Sequence, residues 1–215
     1  NQSCTLVSGT SGWEYINRLT YLERNDSLYF YAATNNGLFR WTVANNGSVD
    51  LALHAQRNTV FPELPRFGLR LFLPQEMSQV NYYGMGPMEC YRDKHHAASH
   101  SSYTATVWQL HEDYIRPQEN GSHFDCDYVM LSGDAVRLTA VGTQPFSFNA
   151  SHYTQEELTR KAHNYELEPC GSTVLCLDYA QNGIGSESCG PRLLEQYRLD
   201  DATFNFGLRL FPEKK

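Results

Sequence analysis

No run of apolar residues in this 215-residue chain approaches the roughly 18–20 that a membrane span requires. No run of Lys or Arg exceeds two residues, and the net charge is -7. The clustered basic charge of a nucleic-acid-binding surface is therefore missing, and the acidic balance mainly serves solubility. There is no C-x-x-C pair. The six cysteines (Cys4, Cys90, Cys126, Cys170, Cys176 and Cys189) are widely spaced, which argues against a zinc or dithiol redox motif. In a chain this long they read as mostly reduced thiols of an intracellular protein rather than as a disulfide framework. No Gly/Ser-rich or Pro-rich linker divides the sequence, so one domain over residues 1–215 is expected. Residues 1–11 lack a basic start and an apolar h-region, so these residues are not expected to be a signal peptide. They also lack a Met, so the expectation is a processed chain or a domain cut from a longer one.

What is present points to β structure. Hydrophobic residues make up 41% and charged residues 19%, enough for a real core and too few charges for a disordered chain. Aromatics reach 13%, with 14 Tyr and 11 Phe, side chains that fit a pleated, half-buried surface. They also stack on sugar rings, so composition alone leaves core and carbohydrate site unresolved.

Residues 28–33, 38–43 and 49–55 read as three strands. Asn35-Asn36-Gly37 and Asn45-Asn46-Gly47 lie between them, which makes an antiparallel meander. In the third strand Val49, Leu51, Leu53 and Ala55 alternate with Asp50, Ala52 and His54, the period of a half-buried strand. Further strands are expected at 66–73, 80–83, 104–110, 128–131, 136–141, 146–149, 174–179, 194–199 and 203–211. One short helix is expected near 154–162. Thr154-Gln155-Glu156-Glu157 reads as a capping box in which the Thr hydroxyl and the Glu carboxylate each satisfy a backbone donor. The hexapeptide FGLRLF occurs at 67–72 and again at 206–211. Its flanks differ, so two strands with the same alternation explain it better than a duplicated unit.

Three segments carry turn chemistry. NYYGMGPMECYRDKHHAA at 81–98 contains Gly84, Gly86 and Pro87; YIRPQENGSHFD at 114–125 contains Pro117 and Asn120-Gly121; LDYAQNGIGSESCGP at 177–191 contains Gly183, Gly185 and Gly190. Taken in order, RFGLRLFLP, VNYYGMGPMECYRD, YIRPQENG, PFSFNASHYTQEEL and GIGSESCGP make the chain similar to the C-terminal domain, or small chain, of family 2 β-galactosidases. The most specific parts are G-x-G-P-x-E-x-Y-x-D at 84–93 and P-x-E-N-G at 117–121.

The resemblance implies an all-β antiparallel supersandwich of the galactose-mutarotase-like type, lacking its first strands, in a cytoplasmic bacterial enzyme. It implies that the catalytic carboxylates, and the magnesium and sodium ligands, belong to other domains of the parent enzyme. No cofactor is then expected in this chain, and its partners are a galactoside and a catalytic barrel or large chain in an oligomer. Glu89, Asp93, Glu119, Asp125 and Asp127 become structural or rim carboxylates. The family sends one loop of this domain to the active site, which here matches Gly185, Ser186, Glu187, Ser188 and Cys189. Well-known members place a Trp there where this chain has Cys189, so both a pocket-lining thiol and a bystander remain open.

Other constellations carry less. His95, His96 and His100 match no tight metal-ligand spacing and read as a solvated loop. His111-Glu112-Asp113 reads as an exposed strand end rather than a proton relay. Two alternatives stand beside the galactosidase reading. One is a free carbohydrate-binding module with a platform of Tyr82, Tyr83 and Trp108. The other is a mutarotase-like epimerase, an activity that fold kinship alone does not transfer.

Overall fold

A computed structural model describes residues 16–24, 27–34, 37–58, 60, 63–182 and 191–215. Strands β1 (Ile16–Arg24), β2 (Ser27–Thr34), β3 (Gly37–Ala44) and β4 (Val49–Gln56) pair in sequence as an antiparallel meander. The β3–β4 turn is closed by Ala44 N–H donating to Ser48 O (2.9 Å), with Asn46 Oδ1 accepting from Ser48 N–H (3.0 Å). This is the side-chain turn chemistry for which Asn is favoured. The meander is longer than the sequence pattern suggests, because β1 precedes it.

Seven further strands follow among the described residues: β5 (Arg66–Pro74), β6 (Gln79–Gly86), β7 (Ser99–Thr106), β8 (Ser122–Ser132), β9 (Val136–Ser151), β10 (Ser172–Gln181) and β11 (Thr203–Lys214). One path of pairing runs β1-β2-β3-β4-β11-β9-β8-β6-β7. β10 leaves this path, pairing with β9 on one side and β5 on the other. The switch happens within β9. Its residues 136–142 pair with β11, and its residues 147–151 pair with β10. Pro145, which has no N–H to give a ladder, falls in the unpaired stretch between them. The two strands expected at 136–141 and 146–149 are therefore one bent strand, held together by β8 along its other edge.

Alternation then builds the core. Leu51 and Leu53, Val80 and Tyr82, Val129 and Leu131, and Phe206 and Leu208 are buried at alternate positions of their strands, whereas β10 is buried on both faces from Thr173 to Asp178. Phe67, Leu69 and Leu71 of β5 pack against the same cluster. Each such Leu or Phe contributes about 1.5–3 kcal/mol on burial. The two FGLRLF copies are thus two strands with one alternation. Both aim residues 1, 3 and 5 at the core and residue 4 outward, Arg70 to Glu156 and Arg209 to Asp50.

Helix α1 (Gln155–Arg160) begins where the sequence places it, with Thr154 Oγ1 accepting from Glu157 N–H at 3.1 Å. The reciprocal half of the capping box is not made. Glu157 instead accepts from Glu168 N–H (3.1 Å) and pairs with Arg160 and Lys161.

Two expectations are corrected. Residues 194–199 are not a strand; Glu195–Tyr197 form a 3-10 turn that drives Leu199 into the interior. Residues 104–110 divide, with β7 ending at Thr106. There Thr106 Oγ1 accepts from Gln109 N–H (3.2 Å) and turns the chain.

Candidate functional site

The predicted pocket loop, Gly185, Ser186, Glu187, Ser188 and Cys189, lies outside the described residues. Its two stems are described, and a polar clamp holds them. Arg66, the first residue of β5, faces Gln181, the last of β10. Its guanidinium donates from Nε to Asp178 Oδ1 (3.2 Å), from Nη2 to Asp178 Oδ2 (2.5 Å) and from Nη1 to Glu119 Oε1 (2.5 Å). Gln181 Nε2 adds bonds to Asp178 Oδ2 (3.2 Å) and Ser122 Oγ (2.9 Å).

The Asp178 side chain is only 2% exposed. Burial pushes its carboxyl above the ordinary range, and Arg66 pulls it back. Burial also opposes the Arg66 charge, but Asp178 and Glu119 outweigh it and hold the guanidinium protonated. A bidentate pair of this kind fixes direction as well as charge. Gly68 lies alongside, where a β-carbon would meet Asp178 Oδ1 at 2.4 Å.

On the loop's entry side, Asn182 N–H donates to Pro65 O (2.9 Å) and Asn182 Oδ1 accepts from Leu199 N–H (2.5 Å). Past the loop, Arg192 pairs with Glu63 (2.9 Å), and Leu64 N–H donates to Leu199 O (3.0 Å). Residues 63–66 thus staple both stems.

The two most specific motifs meet next to this clamp. Glu89 is buried at the centre of a donor set. Its Oε1 accepts from Lys94 Nζ (2.8 Å) and from Tyr114 Oη, and its Oε2 accepts from Tyr91 Oη (3.1 Å) and Gly121 N–H (3.0 Å). Burial alone would raise Glu89; Lys94, Tyr114 and the Gly121 amide outweigh it and hold the carboxyl below its ordinary range. Gly121 has φ +69°, and a β-carbon there would meet Leu110 O at 2.3 Å, so the turn requires glycine. Its neighbour Asn120 accepts from Glu112 N–H (3.0 Å) through Oδ1. The P-x-E-N-G turn is therefore locked residue by residue: Glu119 to Arg66, Asn120 to Glu112, Gly121 to Glu89.

The remaining sequence candidates are dispersed. Asp125 lends its carbonyl to His100 Nε2 (2.9 Å), and Asp127 lies 3.8 Å from the same nitrogen. His95 and His96 stack on each other at 4.9 Å, and His95 Nδ1 donates to Tyr91 O (3.2 Å). The Tyr82–Tyr83–Trp108 platform does not exist as a surface. Tyr82 is fully buried, Tyr83 packs against His100, and Trp108 sits with His152 and Tyr153. His111 is not on an exposed strand end. It lies in a loop, with its side chain 10% exposed and its ring 5.1 Å from that of Tyr153. His123, which the sequence did not single out, is buried under Phe148, and burial lowers its pKa to about 4. No helix among the described residues is long and apolar enough to cross a membrane.

An antiparallel sandwich of this size, with one long bent strand shared between layers, superposes on a galactose 1-epimerase from Lactobacillus acidophilus. The TM-score is 0.52 at 11% identity, covering 91% of this chain and 66% of the epimerase. That likeness shows the fold alone: the chain is a mutarotase-like β-sandwich. A family model described as the β-galactosidase small chain matches residues 15–210. A β-galactosidase of Actinobacillus pleuropneumoniae is 47% identical over 175 residues, and one of Staphylococcus xylosus is 42% identical over 174. Each alignment takes in 81% of this chain, which spans only 17% and 18% of those relatives. The chain belongs to the β-galactosidase small-chain family.

Proposed function

We propose that this chain is the non-catalytic accessory sandwich of a retaining β-galactosidase that hydrolyses terminal β-galactosides such as lactose. It completes the active-site pocket through residues 185–189 and supports assembly with the catalytic part, in the bacterial cytoplasm. The observation that carries this reading is the state of its carboxylates. A retaining glycosidase needs two carboxyl groups about 5–5.5 Å apart, one as acid/base and one as nucleophile. Here Glu89 has four donors, and Glu119 and Asp178 share one guanidinium. Carboxylates saturated in this way hold structure rather than attack a sugar. Free thiols at Cys90, Cys126, Cys170 and Cys176 fit a reducing compartment.

By family resemblance, magnesium and sodium belong to other domains of the parent. The role of the clamp is to hold both stems of the pocket loop on a rigid base, as positioning shells do in other sites.

The test is a β-galactosidase assay on the chain alone and then mixed with a matching large chain. The expected result is no turnover alone and turnover on mixing. Turnover by the chain alone, lost on substituting one of its carboxylates, would overturn the accessory role.

A further inference from the structure

We infer that an exposed apolar ridge running from Trp108 to Tyr165 is the surface on which the catalytic large chain docks, a surface that rests on the accessory reading above. Trp108 follows β7 and is 50% exposed, with its ring 5.9 Å from that of Tyr153. Tyr153 in turn touches His111. Beyond His111, Asp113 Oδ1 accepts from Asn164 Nδ2 (2.9 Å), and Ile115 O accepts from Asn164 N–H (3.3 Å). These bonds bring Ile115, 89% exposed, and Tyr165, 83% exposed, onto the same ridge.

Of the nine exposed large apolar side chains among the described residues, three lie on these two joined segments, and the others are on separate elements. Single exposed apolar residues need no explanation, but an apolar group on joined segments does. Trp and Tyr are the residues that most often carry binding energy at an interface centre. Beneath the ridge, both His111 ring nitrogens are buried without a hydrogen-bond partner, Nε2 lying 3.5 Å from Asp113 Oδ1.

The occupant follows from size and charge. The chain makes up less than a fifth of its relatives, which leaves a large body of protein to cover it. A second copy fits poorly. The ridge is flanked by three exposed acids, Glu112, Asp113 and Glu168, and one exposed base, Arg116, so a two-fold contact would bring a net excess of like charge together. The partner face should therefore be apolar with a basic rim.

The test measures binding of the 215-residue chain to a separately produced large chain, with activity on mixing as a second readout. Ile115→Asp, Tyr165→Asp and Trp108→Ala alter exposed side chains, and thermal unfolding checks that each variant stays folded. Leu194→Asp, exposed on a different segment, is the control. The expected result is about a 30-fold weaker Kd for each of the first two variants, the effect of losing a hot-spot residue. Binding of the control should be unchanged, and wild-type affinity should fall with added salt. Wild-type affinity in all three ridge variants overturns the docking surface and leaves the accessory reading standing. Failure of the wild-type chain to bind the large chain at all overturns both. Self-association of the wild type, abolished by the same variants, assigns the ridge to a second copy and overturns the inference.

Discussion

Acid should loosen this sandwich through one imidazole. His123 is buried against Phe148, with ring centroids 5.1 Å apart. Its Nδ1 is 3.2 Å from Met85 O and 3.0 Å from Tyr82 Oη, whereas Nε2 has no partner. With the one proton of the neutral ring on Nδ1, facing the Met85 carbonyl, a second proton must go to Nε2. It would place an unpaired N–H and a positive charge in the core. Burial accordingly lowers the His123 pKa to about 4, against 6.5 for the free side chain. The unfolded chain takes up that proton near pH 6.5, and the folded chain refuses it until about pH 4. Stability is therefore full above pH 6.5 and is lost as the pH falls toward 4. Linkage gives a loss of about 2 kcal/mol between pH 7.5 and pH 5 from this residue alone. The assay is urea unfolding of the wild type and of His123→Phe at pH 7.5, 6 and 5. The variant keeps the stack on Phe148 and removes the titration. It should be less stable at pH 7.5, because Tyr82 loses a partner, but should show a shallower acid slope by about 2 kcal/mol. Contributions shared by the two proteins, such as that of His152, cancel in the difference. Parallel slopes, or a native His123 resonance that titrates near 6.5, would refute the reasoning.

Arg66→Met should cost about 3–5 kcal/mol, because it strands the Asp178 carboxylate in the interior. The double variant Arg66→Met/Asp178→Asn should recover a large part of that loss in the urea midpoint; an equally unstable double variant would show that the clamp acts through packing instead. In the full-length enzyme, Cys189→Trp should shift the KM for galactosides by about 2–10-fold, the range of one aromatic stacking contact. Unchanged kinetics would make Cys189 a bystander.

The meander and the helix start were legible because their signals are local: two-residue alternation, Asn-Gly turns, and a Thr three residues before a Glu. β1 was not, because INRLTYLER mixes apolar and charged residues without a clean period. In the sequence, β9 looks like two strands, 136–141 and 146–149, because the apolar alternation lapses between them. Pairing with the one strand β8 on both sides of the bend shows that the chain continues there instead of stopping. Residues 194–199 were misread because a short apolar run has no period that separates a strand from a turn anchoring Leu199. The motifs around Glu89 and Glu119 stood out in the sequence, yet their role did not. Glu119 and Asp178 lie 53 and 112 residues from Arg66, and no pattern along the chain announces that one guanidinium joins them.

The sharing of β9 between layers has a mechanical meaning. Residues 147–151 lie beside β10, whose far end leads toward residues 183–190, and residues 136–142 lie between β11 and β8. Hydrogen-bonded ladders do not slip by fractions of a residue, so β10 cannot shift along its axis without dragging on a backbone that is also paired with β11 and β8. The β10–β5 branch and the β11–β4 path are thus geared to each other through β9. A pull on the end of β10 is therefore shared with β8 and β11 through β9.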